Sequence, residues 1–582
     1  MVQLERNTLP VLLAAASKTF GTKTALCRVQ DGSIHEHYDY AGLAAAAGRF
    51  AVLLGDMGIQ AGDRVLLLAE NRPEWAVAYF GIVLAGAVVV PVLVDFLPEQ
   101  IANVAVHAEI KAICATEKTM SKLLQLDESL PLLQIDAMDN SGIDARINAG
   151  AVHKEFRQSA SKLPGYALAA SDLAAILYTS GTSGNSKGVM LTHENLVSNA
   201  IATRAVFPLY PKDRVLSVMP LAHTLESTMG LITPLLQGCS MYYLDKPPTA
   251  PVLASALLVV KPTVMVIVPL IIEKLYRAKV EPKLRNHPLY KFAPTKKLAI
   301  KAAGRKLQTA FGGSLRFLGV GGASLARDVE QFLLTAGFPY AIGYGLTETS
   351  PLVAAAIPGK TRLGSTGRAL DGVEVRIMPP SADEAAASLG TMAADIEGEI
   401  QVRGPNVMTG YYRDPERTAE VFTADGWFRT GDLGAFDTKG MLHVKGRLKA
   451  MILGPSGENI YPEEIESTLA SSGLVEEALV YAAKDGALVA LVVLNERAKV
   501  LLSGAKDAVA GAMRDASNAA RDATHAARAE TERLLTNLRA STNARLAAFS
   551  RIAKVVLHDQ PFEKTATLKI KRYLYPRSDQ LT

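Results

Sequence analysis

Residues Trp75 to Val94 read WAVAYFGIVLAGAVVVPVLV, twenty positions without a charge. The run is long enough to cross a bilayer as one helix, but Gly81, Gly86 and Pro91 interrupt it and its second half is β-branched. A helix opened by Pro73 and closed at Gly86, followed by a buried strand, fits these residues better. Similar helix-then-strand alternation recurs at 40–70, 101–115 and 250–268, which predicts an α/β chain with parallel sheets. The chain has 582 residues, 49% of them hydrophobic. That is too long for one core, so at least two domains are expected.

Cys27, Cys114 and Cys239 lie far apart, with no CxxC and no His at metal-ligand spacing. This favours a reducing compartment over a disulfide framework or a zinc site. The N-terminus carries Glu5 ahead of its apolar patch and lacks a convincing cleavage site, so no signal peptide is expected.

Charge is spread unevenly. Between Lys261 and Lys306 twelve cations face two carboxylates, Glu273 and Glu281, so this segment is at +10 while the whole chain is at +5. The remainder is therefore net acidic. With Tyr276, Tyr290 and Phe292 interleaved, 261–306 is suited to peripheral contact with an anionic membrane. A solvated helical face and a phosphate-bearing ligand are the alternatives. No nucleic-acid partner is expected.

Directly after the apolar run Ala174–Leu177 comes YTSGTSGNSKG, Tyr178 to Gly188. Glycines let backbone N–H groups approach an anion, and the hydroxyls and the Lys ammonium add donors, so this is a phosphate-holding loop. Walker A spacing fails: counting from Gly181, the second glycine falls on Ser186, and Lys187 is followed by Gly188. A flexible Ser/Gly surface loop is the plainer alternative.

LGVGGASL at 318–325 and GYGLTETS at 343–350 each look like a strand end opening into a loop, the place where parallel sheets bind ligands. In the second, Tyr344 offers a stacking face, Thr347 a hydroxyl for phosphate and Glu348 a hard carboxylate suited to Mg²⁺. GWFRTGD at 426–432 sets Asp432 in a glycine-bounded turn, and GRLK follows at 446–449. The chain closes with PFEKTATLKIKR, 561–572.

In this order, with PLAHTLE at 220–226, these pieces resemble the adenylate-forming superfamily of acyl-CoA synthetases, luciferases and peptide-synthetase adenylation domains, from about Asn71 to Arg572. Within it the chain is similar to long-chain fatty-acid CoA ligases, through NRPEW at 71–75, GRLKAMILGPSGENIYPEEIE at 446–466 and TATLKIKR in place of an SGK tail. It departs from the pattern at Asn185-Ser186, where relatives often carry a residue followed by Pro.

The resemblance implies an N-terminal domain over 1–446, of parallel-sheet αβ layers with a small β-barrel-like part. It also implies a small mobile α+β domain over 447–582, hinged near Lys449. The implied reaction is ATP-dependent: a carboxylate and ATP give acyl-AMP and pyrophosphate, then the thiol of coenzyme A gives acyl-CoA and AMP. Thr179, Ser180, Gly181, Thr182, Ser183, Gly184 and Lys187 would cradle phosphates. Tyr344 and Gly345 would lie at adenine beside Gly322 and Ala323. Thr347 would touch the α-phosphate, Glu348 would hold Mg²⁺, Asp432 the ribose, and Arg447 ribose or phosphate. Lys569 would bridge the carboxylate and the α-phosphate, and Gly454 to Gly457 would face the site in the second step. His223 would line the acyl site, with a packed histidine as the alternative. A fatty acid is the expected substrate and the cytoplasm, with or without membrane contact, the expected location. Rivals are a fatty acyl-AMP ligase serving a carrier protein, a CoA ligase for a medium-chain or aromatic acid, and a non-catalytic binding module.

An alanine-rich insertion at about 503–540 repeats arginine every seven residues at 514, 521 and 528. Its charges balance between Ala505 and Arg533, and large apolar residues are scarce until Leu534, Leu535 and Leu538. A solvated helical hairpin is expected, with a partner-docking surface as the alternative.

Overall fold

The run at 75–94 divides as its residues require. In a computed structural model of the chain, Pro73–Leu84 is a helix with every residue buried, and Val88–Val92 is a strand buried on both faces. A helix that is apolar all round belongs inside a large protein as readily as inside a membrane; here it lies in the core. Among the described residues no helix is long and apolar enough to span a membrane. The structure describes residues 2–137, 163–179, 187–379, 396–453, 459–483, 486–500, 502, 519–564 and 570–575. Ser180 to Ser186, Gly454 to Gly457, 503–518 and Lys569 lie outside them.

The alternation at 40–70, 101–115 and 250–268 resolves into helix Tyr40–Asp56 with strand Arg64–Leu68, helix Pro98–Ala108 with Ile110–Ala115, and helix Ala250–Val260 with Val264–Ile267. These strands enter two large sheets. One runs in the order Gly410–Tyr411, Lys187–Thr192, Leu173–Thr179, Val88–Val92, Arg64–Leu68, Ile110–Ala115, Leu132–Gln134, parallel from Leu173–Thr179 onward. The other has nine strands, with a parallel centre from Tyr340–Gly345 through Phe317–Val320, Val264–Ile267, Arg214–Ser217 and Ser240–Leu244 to Thr24–Gln30. Period-2 alternation divides each strand between two cores. Val264 and Val266 face the core shared with helix Pro73–Leu84, while Met265 and Ile267 face a second core closed by helices from 269 to 336. All three cysteines are free and buried.

The NRPEW motif is a structural anchor. Glu74, with a 3% exposed side chain, receives Arg28 Nη2 at 2.9 Å, Arg72 Nε at 2.9 Å and His37 Nε2 at 2.8 Å. Burial alone would raise its carboxyl, but the His37 hydrogen bond and the two guanidiniums outweigh burial and bring it down to about 2. Asn71 ties the PLAHTLE turn to this region: its Oδ1 accepts from Leu221 N at 2.8 Å and its Nδ2 donates to Ser217 Oγ at 3.0 Å.

One expectation is corrected. Among the described residues the β-barrel-like part is an open four-stranded antiparallel sheet: Glu374–Met378, Gly398–Arg403, Phe428–Phe436 and Leu442–Arg447. Its two outer strands do not pair with each other, and four strands are too few to close around a filled interior.

Past the turn Leu448–Ala450 the chain builds a separate hydrophobic cluster. Strands Val475–Ala482, Leu488–Leu494 and Ile552–Leu557 are covered by helices Pro462–Ala470 and Ala519–Asn543, and the cluster draws on no residue before Ile452. The late leucines of the insertion serve this packing. Leu538 is 2% exposed, Leu534 and Leu535 are partly buried, and Asn543 exchanges two hydrogen bonds with Ile552.

Candidate active site

The two halves of the nucleotide pattern meet at Asp432. Tyr344 ends strand Tyr340–Gly345, and Asp432 stands in strand Phe428–Phe436, yet Tyr344 Oη donates to Asp432 Oδ2 at 2.8 Å. Arg447 is the register partner of Asp432 across the antiparallel pair, and its Nε lies 2.7 Å from Oδ1. The Asp432 backbone N–H is taken by Thr430 Oγ1 at 3.0 Å; the glycine-bounded turn expected from the sequence is instead a register irregularity inside the strand, at Gly431 with φ +68°. Burial, then the Asp432 carboxylate, holds the Tyr344 phenol protonated well above its ordinary range. Tyr344 is only 8% exposed, so in this state its hydroxyl is engaged and little of its ring is open.

A second set gathers at Glu348, in the turn Thr347–Thr349. Tyr411 Oη donates to Glu348 Oε1 at 3.0 Å, and Lys187 Nζ sits 4.9 Å from the centre of the Tyr411 ring. Met408 N donates to the Glu348 carbonyl at 2.9 Å, and Asn406 Nδ2 to Thr349 O at 2.9 Å. Gly345 is required where it stands, because a Cβ there would come within 1.8 Å of Pro351 O. Thr347 is half-buried in the same turn.

Thr179 and Lys187 are register partners at the end of the antiparallel pair Leu173–Thr179 and Lys187–Thr192. Lys187 stands beside Tyr411, which pairs with Val189 two residues further on. Gly322, with φ +85°, turns the chain after strand Phe317–Val320, and Gly322 and Ala323 are exposed. His223 caps the short helix Thr224–Glu226, its Nδ1 accepting from Leu225 N at 3.1 Å. In the same helix Glu226 is buried, and burial pushes its carboxyl up to about 8 against a hydrogen bond from Ser217.

Beside these loops lies an apolar cavity of about 40 Å³, room for roughly three waters. Leu225, Met229, Val266, Gly319, Ile342 and Gly343 contribute to its wall. Its wall also includes Phe207 and Phe317, whose rings lie 4.3 Å apart. Arg316 braces this pair, with Nε 2.8 Å from Asp213 Oδ1 and Nη2 2.8 Å from Pro208 O.

Among the described residues no group of three or more His, Cys, Asp or Glu side chains could hold a metal ion. A lone half-buried carboxylate at Glu348 suits Mg²⁺, which is commonly held by one or two carboxylates together with substrate phosphates. Sequence reading missed Tyr411, Asn406 and the Arg316–Asp213 brace. Gly410-Tyr411-Tyr412 ahead of Asp414-Pro415 marks only a turn.

Known proteins resemble this chain over most of its length. The AMP-binding enzyme family profile matches residues 13–412. The long-chain-fatty-acid–CoA ligase FadD15 of Mycobacterium tuberculosis is 32% identical over 78% of this chain and 76% of its own length. A feruloyl-CoA synthase of an Amycolatopsis species is 31% identical over 77% and 80%. Among solved structures, ATP-bound MatB from Rhodopseudomonas palustris superposes with a TM-score of 0.70 at 26% identity, covering 97% of each chain. The chain belongs to the AMP-binding enzyme family and is an acid–thiol ligase of the AMP-forming acyl-CoA synthetase type.

Proposed function

We propose that this ligase joins a long-chain fatty acid to coenzyme A in two steps, using ATP and Mg²⁺. The observation that carries the proposal is the adjacency of a charged cluster and an apolar one. Strands Phe317–Val320 and Tyr340–Gly345 open into the loops at Gly322 and Glu348 and also line the cavity. A substrate with an ionic end and an apolar tail fits that division.

In the first step the carboxylate attacks the α-phosphorus of ATP and pyrophosphate leaves. Asp432 accepts hydrogen bonds from the ribose hydroxyls, while Arg447 beside it offers guanidinium donors to ribose or phosphate. Thr347 donates to the α-phosphate, and the loop from Thr179 to Lys187 holds the leaving pyrophosphate. Glu348 would hold Mg²⁺, which supplies charge neutralisation at the phosphates when bound. Lys569 approaches from the C-terminal segment and stabilises the charge of the transition state.

In the second step the thiol of coenzyme A attacks the acyl carbon and AMP leaves. Residues 447–582 form the moving unit, turning about Lys449 so that Lys569 withdraws and Gly454 to Gly457 approach. The separate cluster beyond Ile452 supports this division, because such a unit can rotate without opening either large-sheet core.

A shorter or aromatic acid is the second reading, favoured by the small cavity and by the feruloyl-CoA synthase among the relatives. The deciding assay follows products from Mg·ATP, coenzyme A and acids of two to eighteen carbons. Thioester formation rising toward long chains is expected. Acyl-AMP accumulating without thioester would sink the CoA-ligase reading, and a preference for acetate or aromatic acids would sink the long-chain one.

A further inference from the structure

The strongly basic segment noted in the sequence folds into one surface. Glu281–Arg285, Pro288–Lys291 and Ala293–Ala310 are consecutive helices that cover the second core, on the side of the nine-stranded sheet away from the core containing most of the cavity wall. Helix Ala293–Ala310 buries Ala299, Gly304 and Leu307. At 100° per residue this leaves Leu298, Lys301 and Arg305 on the opposite face.

Two properties of this surface differ from an ordinary solvated helix. First, Lys279, Lys283, Lys291, Lys296, Lys297, Lys301, Arg305 and Lys306 are exposed, and none has a carboxylate within 4 Å among the described residues. Over 279–306 nine cations meet one carboxylate, Glu281, which is already paired with Arg285. Second, large apolar side chains stand out among the cations. Phe292 is 63% exposed, Leu298 59% and Leu289 40%. Lys296 rests over the ring of Tyr290, 4.9 Å from its centre, and keeps its ammonium beside that apolar tip.

We propose that the helices spanning 279–306 dock this enzyme on an anionic lipid bilayer, with Phe292, Leu298 and Leu289 entering the headgroup boundary and the lysines contacting lipid phosphates. Charge alone would serve nucleic acid or an acidic protein equally. Unsupported Phe and Leu side chains ringed by cations match an interface whose outer layer is anionic and whose next layer is hydrocarbon. Each cation near such a surface contributes about fivefold to partitioning, so eight unpaired ones suffice for salt-sensitive, reversible attachment.

The test uses the full chain in co-sedimentation with neutral phosphatidylcholine vesicles and with vesicles containing phosphatidylglycerol, at low salt and at about 0.3 M salt. Binding to the anionic vesicles, weakened by salt and absent with the neutral ones, is expected. Lys297→Glu, Lys301→Glu and Arg305→Glu together should lower it by about 100-fold or more. Phe292→Ser with Leu298→Ser should lower it at least about fivefold while all charges remain. A milder set, Lys296→Gln, Lys297→Gln and Lys301→Gln, repeats the charge test, and unchanged thermal unfolding and ligase rate on a soluble acid verify that each variant is folded.

Equal binding to neutral and anionic vesicles overturns the proposal, as does no binding to either. Full binding by the Phe292/Leu298 variant also overturns it, because the surface would then be merely basic. Self-association or duplex binding lost in the same variants, without vesicle binding, assigns the surface to another partner and likewise overturns it.

Discussion

Asp432→Asn separates the nucleotide reading from a purely structural role for this cluster. Asparagine keeps the shape and one acceptor, so the bond from Tyr344 Oη, 2.8 Å in the parent, survives. What is lost is the charge facing Arg447 and whatever the carboxylate gives to a ribose. The pair is half-buried, with the Arg447 side chain 48% exposed and that of Asp432 7%, so losing the charge should cost folding about 1–3 kcal/mol. Hydrogen bonds to a charged acceptor are worth about 1.5–3 kcal/mol each. Weakening two ribose bonds should cost about 2–4 kcal/mol, or roughly 30- to 700-fold in kcat/KM for ATP. The assay is pyrophosphate release with ATP and with 2′-deoxy-ATP for both proteins. The parent should lose at least about tenfold on removal of the hydroxyl and the variant much less, since both changes remove the same bond. An equal deoxy penalty in the two proteins would refute ribose binding by Asp432, whatever the variant's overall activity.

Lys569→Ala should abolish acyl-AMP formation while largely sparing thioester formation from supplied acyl-AMP; equal loss in both half-reactions contradicts the two-position model of residues 447–582. Phe317→Ala should shift the chain-length optimum upward by removing one ring of the pair 4.3 Å apart in the cavity wall, with KM for longer acids falling more than kcat rises; an unchanged length profile rules out that pair as the stop. Glu74→Gln should destabilise the protein by about 3 kcal/mol at neutral pH. The Glu74 carboxyl is lowered from 4.5 to about 2, so its contribution is present above pH 4.5 and disappears as the pH falls through 2. Urea unfolding across that window should show the variant and the parent converging, and a constant gap would disprove the assignment.

The fold was legible where one local pattern answers one local question. The glycines and β-branched residues between Trp75 and Val94 predict the helix-to-strand change that the structure shows. The insertion reads locally as a solvated hairpin, yet Leu534, Leu535 and Leu538 pack into the C-terminal cluster, a contact that no local pattern showed. The site was legible only as separate pieces. Glu348 stood out because carboxylates in a Gly/Thr loop are conspicuous, but its donor Tyr411 lies 63 residues on, in a two-residue strand whose pairing depends on a different sheet. Tyr344 and Asp432, 88 residues apart, stand in two different sheets and meet through a side-chain hydrogen bond that no short window contains. The barrel-like expectation failed for a related reason: closure depends on whether outer strands meet, a property of strand number and tilt rather than of any motif.

The register pair Asp432–Arg447 also bears on the order of events in a catalytic cycle. Arg447 is the last residue of its strand, and the turn Leu448–Ala450 begins at the next position. Were the C-terminal segment to turn about Lys449, as proposed, the pivot would fall just past this strand, and Asp432 would stay in its own sheet. An adenylate held there would stay docked while the protein reorganises around it. Commitment then costs no release and rebinding between half-reactions, and the hydrolysis-prone anhydride need never enter bulk water.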